Sequence, residues 1–479
     1  MKIINWKSSD SSIDELLVRI GKFASEQEFN VFVVGGYIRD RILNREKKEI
    51  DFLVIGDGVR FAELLSSYLQ TRDITVYRNF GTALVDYQDF KLEFASARTE
   101  SYASNSRKPF IQDGSFEDDI RRRDFTINTL AFPINGNNYG EIVDTYGGLS
   151  DIENKLIRTP LEPGITFSDD PLRIMRAFRF ASQLNFTVDE SLLKAAYLMR
   201  DRLRIVSPER IVEEFFKIIQ SDTPSIGLAL MYKSEVMKIL YPEIAAMAGV
   251  DQKKDFHHKD VFWHTLQVVD NVAIASTDVW LRIAALFHDI AKPLTKKYDE
   301  VSGWSFHGHE ESGARIIKKL FKKYKFPLQK IEYVEKLIRL HLRPIALVDE
   351  EVTDSAIRRL IVSAGEDLED LILLCRADIT SKNPDKIKEY TTNYDIVVKK
   401  IHDVDERDKL RAFQSPVRGE EIMEMFYLPP CKGVGIIKTE VEEAILDGEI
   451  ENTYEAAKEY LNQNFKRLSK LVASFRNIN

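Results

Sequence analysis

The chain has 479 residues, too many for one core of ordinary size, and three or so domains is the expectation. Apolar residues make up 44% and charged residues 30%, the profile of a globular protein; no apolar run approaches the roughly 20 residues that cross a bilayer. The net charge of −8 argues mildly against nucleic-acid binding, whose affinity comes largely from Lys and Arg meeting phosphates, although 68 basic residues can still line one face.

The opening MKIINWKSSDSS has no charged segment followed by an apolar one, so no signal peptide is expected. Cys375 and Cys431 are the only cysteines, which excludes a disulfide framework and a Cys-based zinc site and fits a reducing cytoplasm. Residues 13–29 carry helical apolar spacing (Ile13, Leu16, Leu17, Ile20, Phe23). VFVV (31–34) reads as a short buried strand running into Gly35-Gly36. A helical stretch (YIRDRILNR), a polar turn and a second strand (IDFLVIG) follow, then the strand-like runs ITVYR, TALVDY and KLEFASA. These make a small mixed sheet with helices. From about residue 160 the pattern is helical almost to the end, punctuated by Pro208, Pro242, Pro293, Pro327 and Pro344. DQKKDFHHKD (251–260) interrupts the apolar pattern and marks a boundary; a weaker one lies near 400–410.

Three constellations carry chemistry. In the first, Gly35-Gly36 sits between strand and helix, where backbone N–H groups can approach a phosphate; alone, such a pair is usually a plain turn. Glu49 and Asp51 flank Ile50 at a strand start, so their side chains share one face, and paired carboxylates there suit Mg²⁺. In the second, EDDIRRRDFTIN (117–128) puts Arg122, Arg123 and Asp124 ahead of Asn128, with guanidinium forks suited to phosphate oxygens. FSDDPLRIMRAFRFA (167–181) follows. There Ser168, Asp169 or Asp170 caps a helix whose first turn holds Pro171. Asp170 and Arg173 are also helical neighbours. An acceptor beside a donor complements the amine-beside-nitrogen edge that cytosine and adenine share. Uracil and guanine would leave both groups mispaired, at roughly 1–3 kcal/mol each, enough for discrimination of ~10⁴ in a site built this way. In the third, six of eight histidines fall between 257 and 309. The series His264, His288-Asp289, His309, His341, Asp378 offers imidazole and carboxylate ligands for a transition metal.

Taken together, GG-x-x-RD, then acid-x-Asp, then RRDFT-x-N resembles the nucleotidyltransferase superfamily of DNA polymerase beta, and in detail the bacterial CCA-adding enzymes and their poly(A) polymerase relatives. The family usually has Asp-x-Asp, whereas this chain has Glu49-Ile50-Asp51, one methylene longer at the first acid. The resemblance implies an α+β protein: a small mixed-sheet nucleotidyltransferase head (1–160), then an all-α neck with nucleotide-base recognition (161–250), an HD metal-dependent phosphohydrolase domain (251–400) and a helical tail with a possible tRNA contact (401–479). It implies Glu49, Asp51 and Glu93 as catalytic acids on Mg²⁺. It further implies Gly35, Gly36, Arg39, Arg122, Arg123, Asp124, Asn128, Asp170, Arg173, Arg176 and Arg179 as nucleotide contacts, with Asp170 and Arg173 reading CTP and ATP. GGLSDIENKLIRTP (147–160) resembles the family's head-to-neck hinge, and SNSRKPFIQDGSFEDD (104–119) its flexible loop linked to the switch from C to A addition. The His/Asp series resembles the HD superfamily, with Asp289 bridging two divalent ions, His264, His288 and Asp378 completing one and His309 and His341 the other. The implied function is template-independent CCA addition to tRNA. The alternatives are a poly(A) polymerase or an enzyme adding only CC or A, and, from another class, an HD phosphohydrolase whose head is an inactive RNA-binding module. The expected partners are tRNA, CTP and ATP in the cytoplasm, with no membrane and no protein partner indicated.

Overall fold

The computed structural model describes residues 11–45, 47–78, 81–101, 110–136, 139–250, 260–299, 303–347, 353–380, 383–408 and 415–475. The expected boundary segment around 251–259, and residues 104–109 of the proposed switch loop, lie outside them. By contacts the chain divides into two compact units, Met1–Pro242 and Glu243–Asn479. Among the described residues no helix is long and apolar enough to cross a membrane.

The first unit opens with α1 (Ser11–Glu26), which buries Leu16, Leu17, Ile20 and Phe23 at helical spacing. Then come β1 (Asn30–Val34), α2 (Gly36–Ile42), β2 (Glu49–Ile55), α3 (Gly58–Leu69), β3 (Ile74–Tyr77), β4 (Thr82–Tyr87) and β5 (Phe90–Ser96). After them lie the ribbon β6 (Arg98–Ser101) and β7 (Phe110–Asp113), α4 (Phe116–Arg121) and β8 (Ala131–Pro133). Six strands form one sheet in the order β3-β4-β5-β2-β1-β8. β2 runs antiparallel to β1 and parallel to β5, so the sheet is mixed, as the strand pattern implies; β8 and the separate ribbon are additions the apolar runs do not reveal.

The two faces of this sheet differ. Ile50, Phe52, Leu92 and Phe94 are buried on one; Phe52 and Phe94 stack at 4.6 Å, and Phe61 of α3 meets Phe94 edge-on at 5.4 Å. Burying such side chains contributes roughly 1.5–3 kcal/mol each. Strand alternation then sends Glu49, Asp51 and Glu93 to the opposite face, where Val34, Leu53, Ala97, Ile120 and Ala131 form a smaller apolar cluster beyond them.

The unit continues with α5 (Gly148–Glu153), β9 (Leu156–Ile157), α6 (Pro163–Asp169), α7 (Leu172–Leu184), β10 (Thr187–Val188), α8 (Glu190–Met199), α9 (Pro208–Ile219), α10 (Pro224–Lys233) and α11 (Val236–Leu240). In the hinge-like segment, buried Asp151 of α5 holds Thr126 and the Arg158 side chain, the latter at 3.1 Å. α7 packs on α9 and α10. Contact with α10 is possible because Gly227 has no side chain: a Cβ there would lie 2.5 Å from Ser182 Oγ.

α12 (Pro242–Ala245) leads into the second unit, which contains α13 (Val261–Ala275), α14 (Val279–Phe287), α15 (Lys292–Thr295), the strands β11 (Lys297–Asp299) and β12 (Gly303–Ser305), α16 (His309–Tyr324), α17 (Ile331–Leu340), α18 (Arg343–Ala346), α19 (Asp354–Ala364) and α20 (Leu368–Asp378). The 25-residue α21 (Pro384–Asp408) runs through residue 400. The last helices are α22 (Gly419–Phe426), α23 (Lys432–Asp447), α24 (Tyr454–Gln463) and α25 (Phe465–Leu471). They enclose a core of their own, including Ile422, Phe426, Ile437, Val441, Leu461 and Leu468. α23 is tied to α19 through Arg359, 2.6 Å from Glu443 and 2.9 Å from Asp447.

Candidate functional site

The three acids of the head meet because of strand register. Asp51 of β2 lies directly opposite Glu93 of β5, and Glu49 precedes Asp51 by two on the same strand. Glu93 is reached by solvent rather than buried. Burial pushes the Asp51 carboxyl up, against the pull of Arg123 and Lys47, with Glu49 adding to the rise. Glu93, although reached by solvent, is partly desolvated by its neighbours, which raises its carboxyl, and the charges of Asp51 and Glu49 raise it further. Three carboxylates that disfavour one another's charge form a donor set that fits a hard divalent cation.

Gly35 closes this face. Its φ of +74° is a conformation that side chains rarely tolerate, and a Cβ would sit 2.9 Å from Arg123 NH1 and 3.6 Å from Asp51 Oδ2. Its own N–H donates to the Leu130 carbonyl at 3.0 Å. The glycine is therefore required by backbone geometry, and that amide is already occupied within the protein.

Behind the acids lies a buried polar chain. Arg39 donates to Asp40 (2.8 and 2.9 Å) and to Asn128 Oδ1 (2.6 Å). Asn128 Nδ2 donates to Asp124 Oδ1 at 2.9 Å, and Arg176 donates to Asp124 Oδ2 at 2.8 and 2.5 Å. Burial opposes the charge on Asp124, but Arg176 and Asn128 outweigh it and hold the carboxyl well below the usual carboxylate range. Phe180 packs beneath, with the guanidinium carbons of Arg39, Arg176 and Arg179 at 4.8, 5.6 and 4.2 Å from its ring centre. Arg179 pairs with buried Glu214 at 2.7 Å. The sequence suggested nucleotide contacts for Arg39, Asp124 and Asn128; the structure has their polar ends bonded to each other and to the protein.

Asp119 is a further buried acid. It pairs with Arg122, and with Arg123 at 3.0 Å. The acidic run ahead of the three arginines, at i,i+3 and i,i+4 spacing, was the available signal. Asp170 lies between α6 and α7: Oδ1 accepts from Leu172 N–H at 3.1 Å, and Oδ2 is 3.3 Å from Arg210 NH2. Arg173, in the first turn of α7, donates to the Arg122 carbonyl at 2.5 Å. Asp170 thus accepts one backbone N–H at the start of α7, while Pro171 occupies the N-cap position itself. Arg210, forty positions away, is a neighbour that spacing did not reveal.

In the second unit all six expected ligands converge at helix ends. His264 lies in the first turn of α13, His288 follows α14, His309 starts α16, His341 follows α17 and Asp378 ends α20. Helix C-termini leave backbone carbonyls without intrahelical partners; two of these, and one carbonyl ahead of α16, orient the rings. His288 Nδ1 lies 2.7 Å from the Ala285 carbonyl, His341 Nδ1 2.6 Å from Ile338, and His309 Nδ1 2.8 Å from Phe306. A carbonyl can only accept, so each Nδ1 carries a proton and each Nε2 faces inward. His264, His288 and Asp378 form one group with ligand atoms within 4.8 Å of one another; Asp289, His309 and His341 form another. Asp289 lies 3.2 Å from both His288 and His309. His288 Nε2, His309 Nε2, His341 Nε2 and both Asp289 oxygens are buried without completing a hydrogen bond. Buried groups of this kind are paired or hold metal. Burial opposes a proton on His288, yet Asp289 and Asp378 push its pKa up to about 10; burial and the neighbouring His288 hold His341 down to about 4. The donor set fits a pair of divalent ions. Lys292, 2.7 Å from Asp289 Oδ2, was not singled out in the sequence.

The geometry agrees with three family matches: residues 31–158 with the poly A polymerase head domain, 185–247 with the probable RNA and SrmB-binding site of polymerase A, and 261–408 with the HD domain. The chain is 32% identical to the multifunctional CCA protein of Stenotrophomonas maltophilia over 368 residues, 73% of this chain and 85% of that one. It is also 32% identical over 255 residues to the A-adding tRNA nucleotidyltransferase of Geobacter sulfurreducens, 52% of this chain and 28% of that one. Its fold matches the apo form II of a CCA-adding enzyme with a TM-score of 0.64 at 21% identity, covering 95% of this chain and 96% of that one. The Thermotoga maritima CCA-adding enzyme complexed with tRNA matches at 0.60 and 20% identity, with the same coverage. The chain thus belongs to the CCA-adding and poly(A) polymerase family of tRNA nucleotidyltransferases, in the form that carries an HD domain.

Proposed function

We propose that this protein adds C, C and A in turn to the 3′ end of tRNA, drawing on CTP and ATP, with Glu49, Asp51 and Glu93 holding Mg²⁺. The register that sets Asp51 opposite Glu93, with Glu49 on the same face, carries the reading. Bound there, Mg²⁺ supplies charge neutralisation for the triphosphate and the leaving pyrophosphate. The 3′ oxygen of the RNA releases its proton to solvent and bonds to the α-phosphorus as the bond from that phosphorus to the bridging oxygen breaks, and pyrophosphate departs. Arg123, beside Asp51 and Gly35, takes the triphosphate. Asp170 accepts the exocyclic amine of cytosine or adenine and Arg173 donates to the adjoining ring nitrogen, exchanging their present partners for the base. For the second unit we propose phosphoester hydrolysis at the His/Asp centre, where a bound divalent ion supplies Lewis acidity.

The test is incubation of the protein with tRNA lacking its 3′ end, Mg²⁺ and each labelled nucleoside triphosphate. Incorporation of C and then A, but not U or G, is expected. Incorporation of A alone would favour an A-adding enzyme, the reading supported by likeness to the Geobacter sulfurreducens protein; long A tracts would favour a poly(A) polymerase. Inactivity of both the native chain and Glu49→Asp would make the head a binding module.

A further inference from the structure

The HD centre is flanked by a feature that metal binding does not use. β11 and β12 form an isolated antiparallel pair in which Tyr298 and Trp304 are direct cross-strand partners. Their rings meet edge-to-face at 4.9 Å, with 47% and 36% of the two residues exposed. Two-stranded ribbons are marginal in water, and exposed Trp and Tyr side chains add nothing to a core. Lys296 Nζ lies 4.2 Å from the Trp304 ring centre. One helical turn earlier, Lys292 Nζ bridges Asp289 Oδ2 (2.7 Å) and the Phe306 ring (5.8 Å). The Phe306 carbonyl is also the acceptor that orients His309. Trp304 is two residues from Phe306, at most about 7 Å along the chain, so the exposed aromatics follow directly on the segment that orients His309.

We propose that this ribbon is a nucleobase platform for the HD centre. Trp304 and Tyr298 stack the base, Lys296 takes negative charge beside it, and the phosphate reaches the His/Asp ligands. The ligand class is a nucleoside phosphate, free or at the end of an RNA. The inference rests on the phosphohydrolase reading of the centre, and it adds what that reading lacks: a reason to prefer a substrate with a base. Lys296 beside the Trp304 ring and Lys292 beside the Phe306 ring favour an anionic ligand over an apolar protein segment.

Stacking on an aromatic side chain contributes roughly 1–3 kcal/mol per base, which is about a 5- to 150-fold effect. The test uses the full chain loaded with Mn²⁺, titrated calorimetrically with the three adenosine monophosphates and with ribose 5-phosphate. The difference between the native chain and Trp304→Ala removes any binding at the head. The preference for the nucleotide over the sugar phosphate is expected to fall about ten-fold or more in Trp304→Ala and to persist in Trp304→Phe. An unchanged preference in Trp304→Ala would overturn the platform. Hydrolysis of the same compounds is followed in parallel, with a 3′-phosphorylated oligoribonucleotide as the arm that separates an RNA end from a free nucleotide; the ratio of kcat/KM with and without the base should fall with the binding preference. If the native chain cleaves none of them, the hydrolase reading fails, and the calorimetric arm still decides the platform.

Discussion

A carboxylate can be placed at a site by local sequence or by distant partners, and both cases occur in the head. Asp51 was legible because its surroundings are local: an alternating strand, a second acid two residues earlier, a glycine turn before it. Replacing Asp51 by Asn should lower nucleotide incorporation by about 10²–10³-fold, the loss of a few kcal/mol of transition-state charge stabilisation. The fold should not suffer. Burial raises the carboxyl's pKa, so its charge opposes folding once the pH passes the folded value, and a neutral amide relieves that cost. Thermal unfolding without Mg²⁺ should show a midpoint for Asp51→Asn at or above that of the native chain; a clear fall would contradict the electrostatic account. Asp124 behaves in the opposite way. Its partners Arg176 and Asn128 hold its pKa low, so it contributes stability that is present at neutral pH. That stability starts to fade as the pH falls below the ordinary carboxylate value of about 4 and is gone only below the depressed one. Asp124→Asn removes the charge that half-buried Arg176 pairs with and should cost about 1–3 kcal/mol at pH 7, with the difference from the native chain narrowing in acid; denaturant titrations at two pH values measure both. The family resemblance implied nucleotide contacts here; the pairings of Arg39 with Asn128 and of Arg176 with Asp124 span 89 and 52 positions, and spacing carries no information about them.

At the scale of elements, helix ends do much of the positioning. The His/Asp cluster was legible because its residue types are rare and clustered. What orients its rings, carbonyls three residues upstream of His288, His309 and His341, is visible only once the chain is folded. Five elements supply one pair of ligand groups, so metal binding should couple to the stability of the second unit. Chelation should lower its unfolding midpoint and added Mn²⁺ should restore it. At 100 times Kd the gain is about 2.7 kcal/mol, on the order of 5–10 °C for a unit of this size. Asp289→Asn should abolish the response, and a midpoint indifferent to Mn²⁺ in the native chain would argue against a metal centre. Fluorescence suits the measurement, since Trp263, Trp280 and Trp304 all lie in that unit. α7 is the corresponding element of the head. Its first turn carries Arg173 and its middle carries Arg176, Arg179 and Phe180, so one ring supports three guanidinium groups, Arg39 from α2, Arg176 paired with the 117–128 segment and Arg179 paired with α9. The capping residues and Pro171 predicted a helix here; they did not show that Phe180 is the point where the arginines gather. Phe180→Leu keeps most of the volume and removes the ring face, with an expected loss of about 1–3 kcal/mol. It should also raise UTP incorporation relative to CTP, because the start of α7 sets the directions of Asp170 and Arg173.

For the molecule as a whole, the arrangement is two compact units, each with its own core and its own acidic centre. The head's acids sit on a sheet face and suit a hard ion with oxygen donors, whereas the HD ligands are mostly imidazole and suit a transition metal. No residue is shared between the two sets. The two chemistries should therefore be separable by single substitutions. Asp51→Asn should lose nucleotide addition and keep phosphoester hydrolysis within about two-fold, and Asp289→Asn should do the reverse, both read on one preparation of each variant with tRNA and an adenosine monophosphate. Metal supply should separate them too. Traces of Mn²⁺ too low to support polymerisation should fill the imidazole centre first, since affinity for nitrogen donors rises from Mg²⁺ to the transition metals, while polymerisation should follow millimolar Mg²⁺. Joint loss of both activities in either variant, with the protein still folded, would mean that the centres depend on each other in a way their separate ligand sets do not explain.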